Sequence, residues 1–80
     1  MRVLIVEDDV DLARSIADSL RLAGMVAETV ADGGEACFLG CTEDYDAAVL
    51  DLGLPGQDGI SVLRHWREHG RHLPVLILTA

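Results

Sequence analysis

Ala48-Val49-Leu50-Asp51-Leu52 is a short apolar run that ends in a single carboxylate and breaks at once into Gly53-Leu54-Pro55-Gly56-Gln57-Asp58-Gly59. An apolar run of this length, bounded by turn residues, reads as a strand buried on both faces, and the segment after it as a tight loop. Asp51 then stands at the carboxyl end of a strand, the edge of an open α/β sheet where ligands bind. A second run, Val3-Leu4-Ile5-Val6, is followed by a second acidic cluster, Glu7-Asp8-Asp9. If the two strands are parallel neighbours, both clusters emerge at the same edge.

Working outward, the chain alternates between two periods. Val3–Val6 is the first strand. Val10–Ala23 has a helical period, with Leu12, Ile16 and Leu20 beside Ala13, Ala17 and Ala23 on one face. Asp8 or Asp9 can cap its start and Gly24 can end it. Met25–Val30 is a weaker strand. Asp32-Gly33-Gly34-Glu35 has the spacing of a capping box and opens a short helix to about Gly40. Thr42-Glu43-Asp44 reads as a polar loop and Ala47–Asp51 as the third strand. Asp58 can cap a helix over Gly59–His69 with Ile60, Leu63 and Trp66 as its buried stripe, ended by Gly70. Pro74 precedes a fourth strand, Val75-Leu76-Ile77-Leu78, and Thr79-Ala80 follow. The order βαβαβαβ implies a parallel sheet with right-handed crossovers and helices on both faces.

Eighty residues make at most one small domain. No apolar run approaches the ~20 residues that span a bilayer, and the amino terminus turns acidic too soon for a signal peptide. The expectation is a soluble, cytoplasmic protein with no membrane partner. A net charge of −8 argues against nucleic-acid binding by these residues and favours a divalent cation or a basic partner. The chain has six Arg and no Lys. Cys37 and Cys41, four apart in a helix, read as a reduced, packed pair. A zinc site would need two further ligands, and His65, His69 and His72 lie far away in sequence. The histidines read as solvated positions at and just after the end of the last helix.

Glu7, Asp8 and Asp51 are the carboxylates that position brings together, while Asp9 and Asp11 read as capping or solvated groups. Like charges held close repel, which raises at least one pKa unless a cation neutralises them. A hard ion such as Mg²⁺ takes oxygen ligands, keeps several waters and is often shared with a phosphate. Thr79 falls at the same edge, either as an ordinary strand end or as a hydroxyl donor to an anion near Asp51. A dinucleotide site would need a glycine-rich turn where Glu7-Asp8-Asp9 stands. A phosphohydrolase with an Asp nucleophile usually has an acid two residues later, and that position is Gly53.

Taken together, Val6-Glu7-Asp8-Asp9, Leu50-Asp51-Leu52-Gly53-Leu54-Pro55-Gly56-Gln57-Asp58-Gly59 and Leu78-Thr79-Ala80 resemble the receiver domain of bacterial two-component response regulators. The resemblance covers the whole chain and is greatest to the subgroup with a winged-helix DNA-binding domain. It implies a flavodoxin-like, doubly wound α/β fold with strand order 2-1-3-4, and a phosphorylation-dependent switch that is not a turnover enzyme. It also implies roles. Asp51 resembles the phospho-acceptor, Asp8 a direct Mg²⁺ ligand, and Glu7 its acidic neighbour. Gly53 stands where a backbone carbonyl completes the metal site, and Thr79 resembles the hydroxyl residue that contacts the phosphoryl group. The implied donor is a phosphohistidine on a sensor histidine kinase, and DNA would be met only through a separate output domain.

The family also has a fifth strand ending in a lysine, a switch aromatic on that strand and two last helices. The expectation is therefore that residues 1–80 are the amino-terminal part of a receiver domain, binding Mg²⁺ weakly and phosphorylating poorly when alone, with an open fourth-strand edge inviting self-association or swapping. A phosphate-independent interaction module and a metal-dependent phosphohydrolase are the rival readings. The intact Glu7, Asp8, Asp51 and Thr79 oppose the first and Gly53 opposes the second.

Overall fold

In the computed structural model, which describes residues 1–78, seven elements alternate as the periodicity predicts. They are β1 (Arg2–Val6), α1 (Val10–Leu22), β2 (Val26–Val30), α2 (Gly33–Thr42), β3 (Ala47–Asp51), α3 (Gly59–Glu68) and β4 (Val75–Leu78). The strands form one parallel sheet in the order β2-β1-β3-β4. The two central strands, β1 and β3, are buried along most of their length, as strands covered on both faces are.

Alternation along β1 and β3 divides the core in two. Leu4 and Val6 of β1 and Ala48 and Leu50 of β3 point to one face, where Ala36, Cys37, Val62 and Trp66 of α2 and α3 cover them. Val3, Ile5 and Val49 point to the other, against Ala13 and Ala17 of α1. Leu4, Ile5, Val6, Leu50, Val62 and Trp66 are all fully buried. At about 25 cal/mol per Å² of apolar surface, each large side chain of this set contributes about 1.5–3 kcal/mol.

The caps follow the expected carboxylates. Asp9 accepts from the Leu12 amide at 3.1 Å, Asp32 from Gly34 at 3.1 Å and Asp58 from Ser61 at 2.9 Å. Of the two candidates for α1, Asp9 is the cap, which leaves Asp8 free of that duty. Gly24 and Gly70 follow α1 and α3 with positive φ, as stops require.

Three details differ from the sequence reading. In α1 the buried residues are Ala13 and Ala17, with Ile16 and Leu20 partly buried beside them, while Leu12 is exposed because it lies off the face that meets the sheet. In α3 the buried stripe is Gly59, Val62 and Trp66, while Ile60 is 45% exposed and Leu63 is partly buried at the margin. Helix α2 runs on through Thr42, whose hydroxyl donates to the Phe38 carbonyl at 2.9 Å and so spends its polarity within the helix.

Candidate functional site

The register of the central strands builds the acidic edge. Val6 of β1 pairs with Leu50 of β3, so Glu7 and Asp51, the next residue on each strand, leave the sheet side by side. The carboxylates of Glu7, Asp8 and Asp51 each offer an oxygen, and these atoms lie within 4.8 Å of one another. Glu7 is buried, Asp51 half-buried and Asp8 exposed. The Glu7 amide donates to the Val30 carbonyl at 3.0 Å and ties the residue to β2. Its side chain accepts from the Asp9 amide at 3.0 Å, which fixes one oxygen.

The electrostatics are uncompensated. Burial pushes the Glu7 carboxyl above the ordinary glutamate range. The Asp9 amide pulls the other way, and the Asp51, Asp8 and Asp9 charges add to the rise. Among the described residues, the ion pairs are Arg2 with Glu28 and Glu43, Arg21 with Asp18 and Arg71 with Asp44, so no arginine answers the three carboxylates. Oxygen donors, close spacing and unmet negative charge are the donor chemistry that suits a hard divalent cation.

The loop after Asp51 is built for close approach. The Gly59 amide donates to the Leu52 carbonyl at 3.0 Å, which brings the start of α3 against the end of β3. A Cβ on Gly59 would collide with the Asp51 carbonyl oxygen and come within 2.8 Å of the Leu52 Cα, so glycine is required there. Gly53 is exposed, and a Cβ built on it would meet nothing within 4 Å. The space beside Asp51 is therefore open on that side. Leu78 of β4 pairs with Asp51. Thr79, expected to complete the edge, lies outside the described residues.

A second cluster comes together that the sequence reading kept apart. Cys41 near the end of α2 meets His65 of α3 and His69, the residue that caps α3, with ligand atoms within 4.8 Å of one another. The histidines are distant from Cys41 along the chain, but α2 and α3 pack side by side. His72 is not part of this group. The signal that could have found it is the i, i+4 spacing of His65 and His69 on one helix face.

An open parallel sheet with helices on both faces and carboxylates converging at its carboxyl edge defines a doubly wound α/β protein with its site at the strand ends. Comparison with known proteins makes the assignment specific, since the model of the response regulator receiver domain matches residues 3–80. The chain belongs to the response regulator receiver family. It is 42% identical over 80 residues to the transcriptional regulatory protein QseB of Escherichia coli O157:H7. It is 45% identical over the same length to the response regulator protein PmrA of Pseudomonas aeruginosa. In each case all of this chain is covered, and the chain spans 36% of the relative's length.

Solved structures agree. The receiver domain of a Francisella response regulator superposes with a TM-score of 0.94 at 38% identity, covering 99% of this chain and 65% of that one. The receiver domain of a sensor histidine kinase from Pseudomonas aeruginosa PAO1, which has a magnesium ion coordinated in its active-site cleft, gives 0.92 at 38% identity, covering 99% and 66%. No helix among the described residues is long and apolar enough to cross a membrane.

Proposed function

We propose that this chain is the phosphorylation-dependent part of a cytoplasmic signalling switch, with Asp51 as the phospho-acceptor. In this reading Glu7, Asp8, Asp51 and the backbone carbonyl of Gly53 hold Mg²⁺, and Thr79 contacts the phosphoryl group. The observation that carries the proposal is the convergence of the three carboxylates at the end of β1 and β3 without a basic partner among the described residues. When bound, Mg²⁺ supplies positive charge against both the carboxylates and the incoming phosphoryl oxygens.

The chain's own residues supply position. A carboxylate oxygen of Asp51 attacks phosphorus and forms an acyl phosphate, while the bond from phosphorus to the donor's leaving group breaks and that group departs with the electron pair. The donor is a phosphohistidine on a sensor histidine kinase, whose leaving group is the imidazole. Half-burial of Asp51 keeps its carboxylate on a fixed strand end, which converts much of the entropic part of the barrier into folding. Glu7, held by the Asp9 amide, keeps a second carboxylate in place without competing for phosphorus.

The new dianion biases a two-state element and is read by an output domain outside this chain. The names of QseB and PmrA as transcriptional and response regulators support control of transcription. A net charge of −8 gives DNA contact to that output domain and not to these residues. The reaction modifies the chain itself, so it acts as a switch and not as a turnover enzyme. Exposed Leu76 and Ile77 on β4 support pairing with a second copy along that strand; a concentration-independent monomer in sedimentation velocity contradicts this part.

The test is phosphoryl uptake from acetyl phosphate by the gene product in its full encoded length, followed by intact mass. Uptake of one phosphoryl group with Mg²⁺ and its loss on chelation are expected. Uptake of the same extent after chelation overturns the role of the carboxylate cluster. No uptake in either condition overturns the switch.

A further inference from the structure

We propose that Cys41, His65 and His69 form a second metal site, selective for a thiolate- and imidazole-loving ion of the Zn²⁺ type. The three side chains come from α2, α3 and the cap residue of α3, and one ligand atom from each lies within 4.8 Å of the others. A tetrahedral ion with bonds of about 2.0–2.3 Å needs its donors roughly 3.3–3.7 Å apart. The group therefore closes on an ion with side-chain movements of about an ångström. Cys41 and His65 are half-buried and His69 is exposed, so the site has an entry path.

The two imidazoles are already adjacent, and a turn of one ring is what both need to face one ion. His65 and His69 stand one helical turn apart, and their rings stack at 4.1 Å between centroids with 28° between planes. Nδ1 of His69 lies 2.8 Å from the His65 carbonyl oxygen. A carbonyl can only accept, so Nδ1 carries the proton and Nε2 of the neutral ring is left bare as a donor to metal. A backbone carbonyl on the far nitrogen is the usual way that metal-binding imidazoles are oriented. The pair at i, i+4 with a cysteine from the neighbouring helix gives two nitrogens and one sulfur, a set that selects zinc and its borderline neighbours over Mg²⁺.

The scaffold under the site is stiff. One residue before Cys41, Gly40 sits directly on the Trp66 indole, and a Cβ at Gly40 would collide with that ring. Trp66, the residue after His65, is fully buried and donates from Nε1 to the Ala36 carbonyl at 3.0 Å. Arg71 donates to the Cys41 carbonyl at 2.7 Å. The ligands thus project from a helix pair locked at its centre. A bound ion would clip α2 to α3 on the sheet face away from α1, with one coordination position left to water or to a ligand from another molecule.

The site is tested with Co²⁺ and Zn²⁺ on the reduced protein. One equivalent of Co²⁺ should give a thiolate-to-metal absorption band and the visible intensity of a tetrahedral ion, and Zn²⁺ should bleach both. Excess Mg²⁺, which occupies oxygen sites, should leave the band in place. Cys41→Ser should abolish it, and His69→Gln, at an exposed position, should weaken binding by at least about tenfold. Cys37→Ala should keep it. Zn²⁺ should also raise the thermal midpoint of the wild type and not that of Cys41→Ser. Absence of the band, its survival in Cys41→Ser, or its removal by Mg²⁺ or by Cys37→Ala each overturns the proposal.

Discussion

Glu7 shows how much of the site is decided by one residue. It is the only charged side chain among the buried residues described, at 6% exposure, and it sits beside two other carboxylates. Its carboxyl is held above the ordinary glutamate range by burial first and by Asp51 and Asp8 after it. Folding at neutral pH therefore works against this ionisation until a cation arrives. Glu7→Gln keeps the shape and removes the charge. It should raise the metal-free melting temperature by a few degrees, the shift that roughly 1 kcal/mol gives in a domain of this size. The same variant should weaken Mg²⁺ binding. Calorimetric melting with and without Mg²⁺ reads both, and a lower metal-free midpoint would contradict the electrostatic reading. At Gly53 a Cβ would meet nothing within 4 Å, so a large side chain there would fit and narrow the approach to the proposed acyl phosphate on Asp51. Gly53→Met should lengthen the lifetime of the phosphorylated state several-fold, and an unchanged decay rate would contradict that role.

At the scale of elements, the contact between α2 and α3 is decided by Gly40 and Trp66. Alanine at Gly40 would gain about 1 kcal/mol of helix propensity. Against that, its Cβ would strike an indole pinned by its bond to Ala36. Overpacking of this kind costs about 1–3 kcal/mol, so Gly40→Ala should lower the urea midpoint and perturb the near-ultraviolet signal of Trp66. This contact also explains what could be read in advance and what could not. The seven elements, their order and their carboxylate caps follow from local chemistry: apolar runs, helical period, Asp before a helix and Gly after it. The buried stripe of α3 does not, because Ile60 and Val62 are both apolar, and the choice between them depends on where Trp66 docks on α2. The same holds for Cys41, His65 and His69, which meet only because those two helices meet. Leu12 is exposed for a related reason, since which side of α1 meets the sheet is a tertiary fact.

Across the whole molecule, charge is sorted between two edges of one sheet. The carboxyl edge gathers Glu7, Asp8 and Asp51 without an arginine among the described residues. The opposite edge has the compensated network. There Arg2 bridges Glu28 at 2.6 Å and Glu43 at 3.0 Å and lies 4.6 Å over the Tyr45 ring, whose hydroxyl donates to Glu28 at 3.2 Å. The Arg2 guanidinium holds the Glu28 carboxyl below the usual glutamate range, and burial opposes it. A carboxyl lowered on folding contributes stability that is complete above its unfolded value, about 4.3, and is lost as pH falls through the lower folded value. Arg2→Gln should therefore flatten the stability profile in that acid window, as read by urea midpoints against pH. The convergence at the carboxyl edge was legible because parallel neighbours must deliver their ends together; the network at the other edge was not, because its members are scattered along the chain.

The acidic edge is where the proposed chemistry happens, and borohydride trapping reads it residue by residue. Borohydride reduces an aspartyl phosphate to homoserine, so peptide mass after treatment with acetyl phosphate, Mg²⁺ and borohydride identifies the acceptor. Homoserine at position 51, absent from Asp51→Asn, is the expected result. Homoserine at Asp8 or Asp58, or phosphoryl uptake with no conversion at Asp51, would contradict the assignment of Asp51 as acceptor.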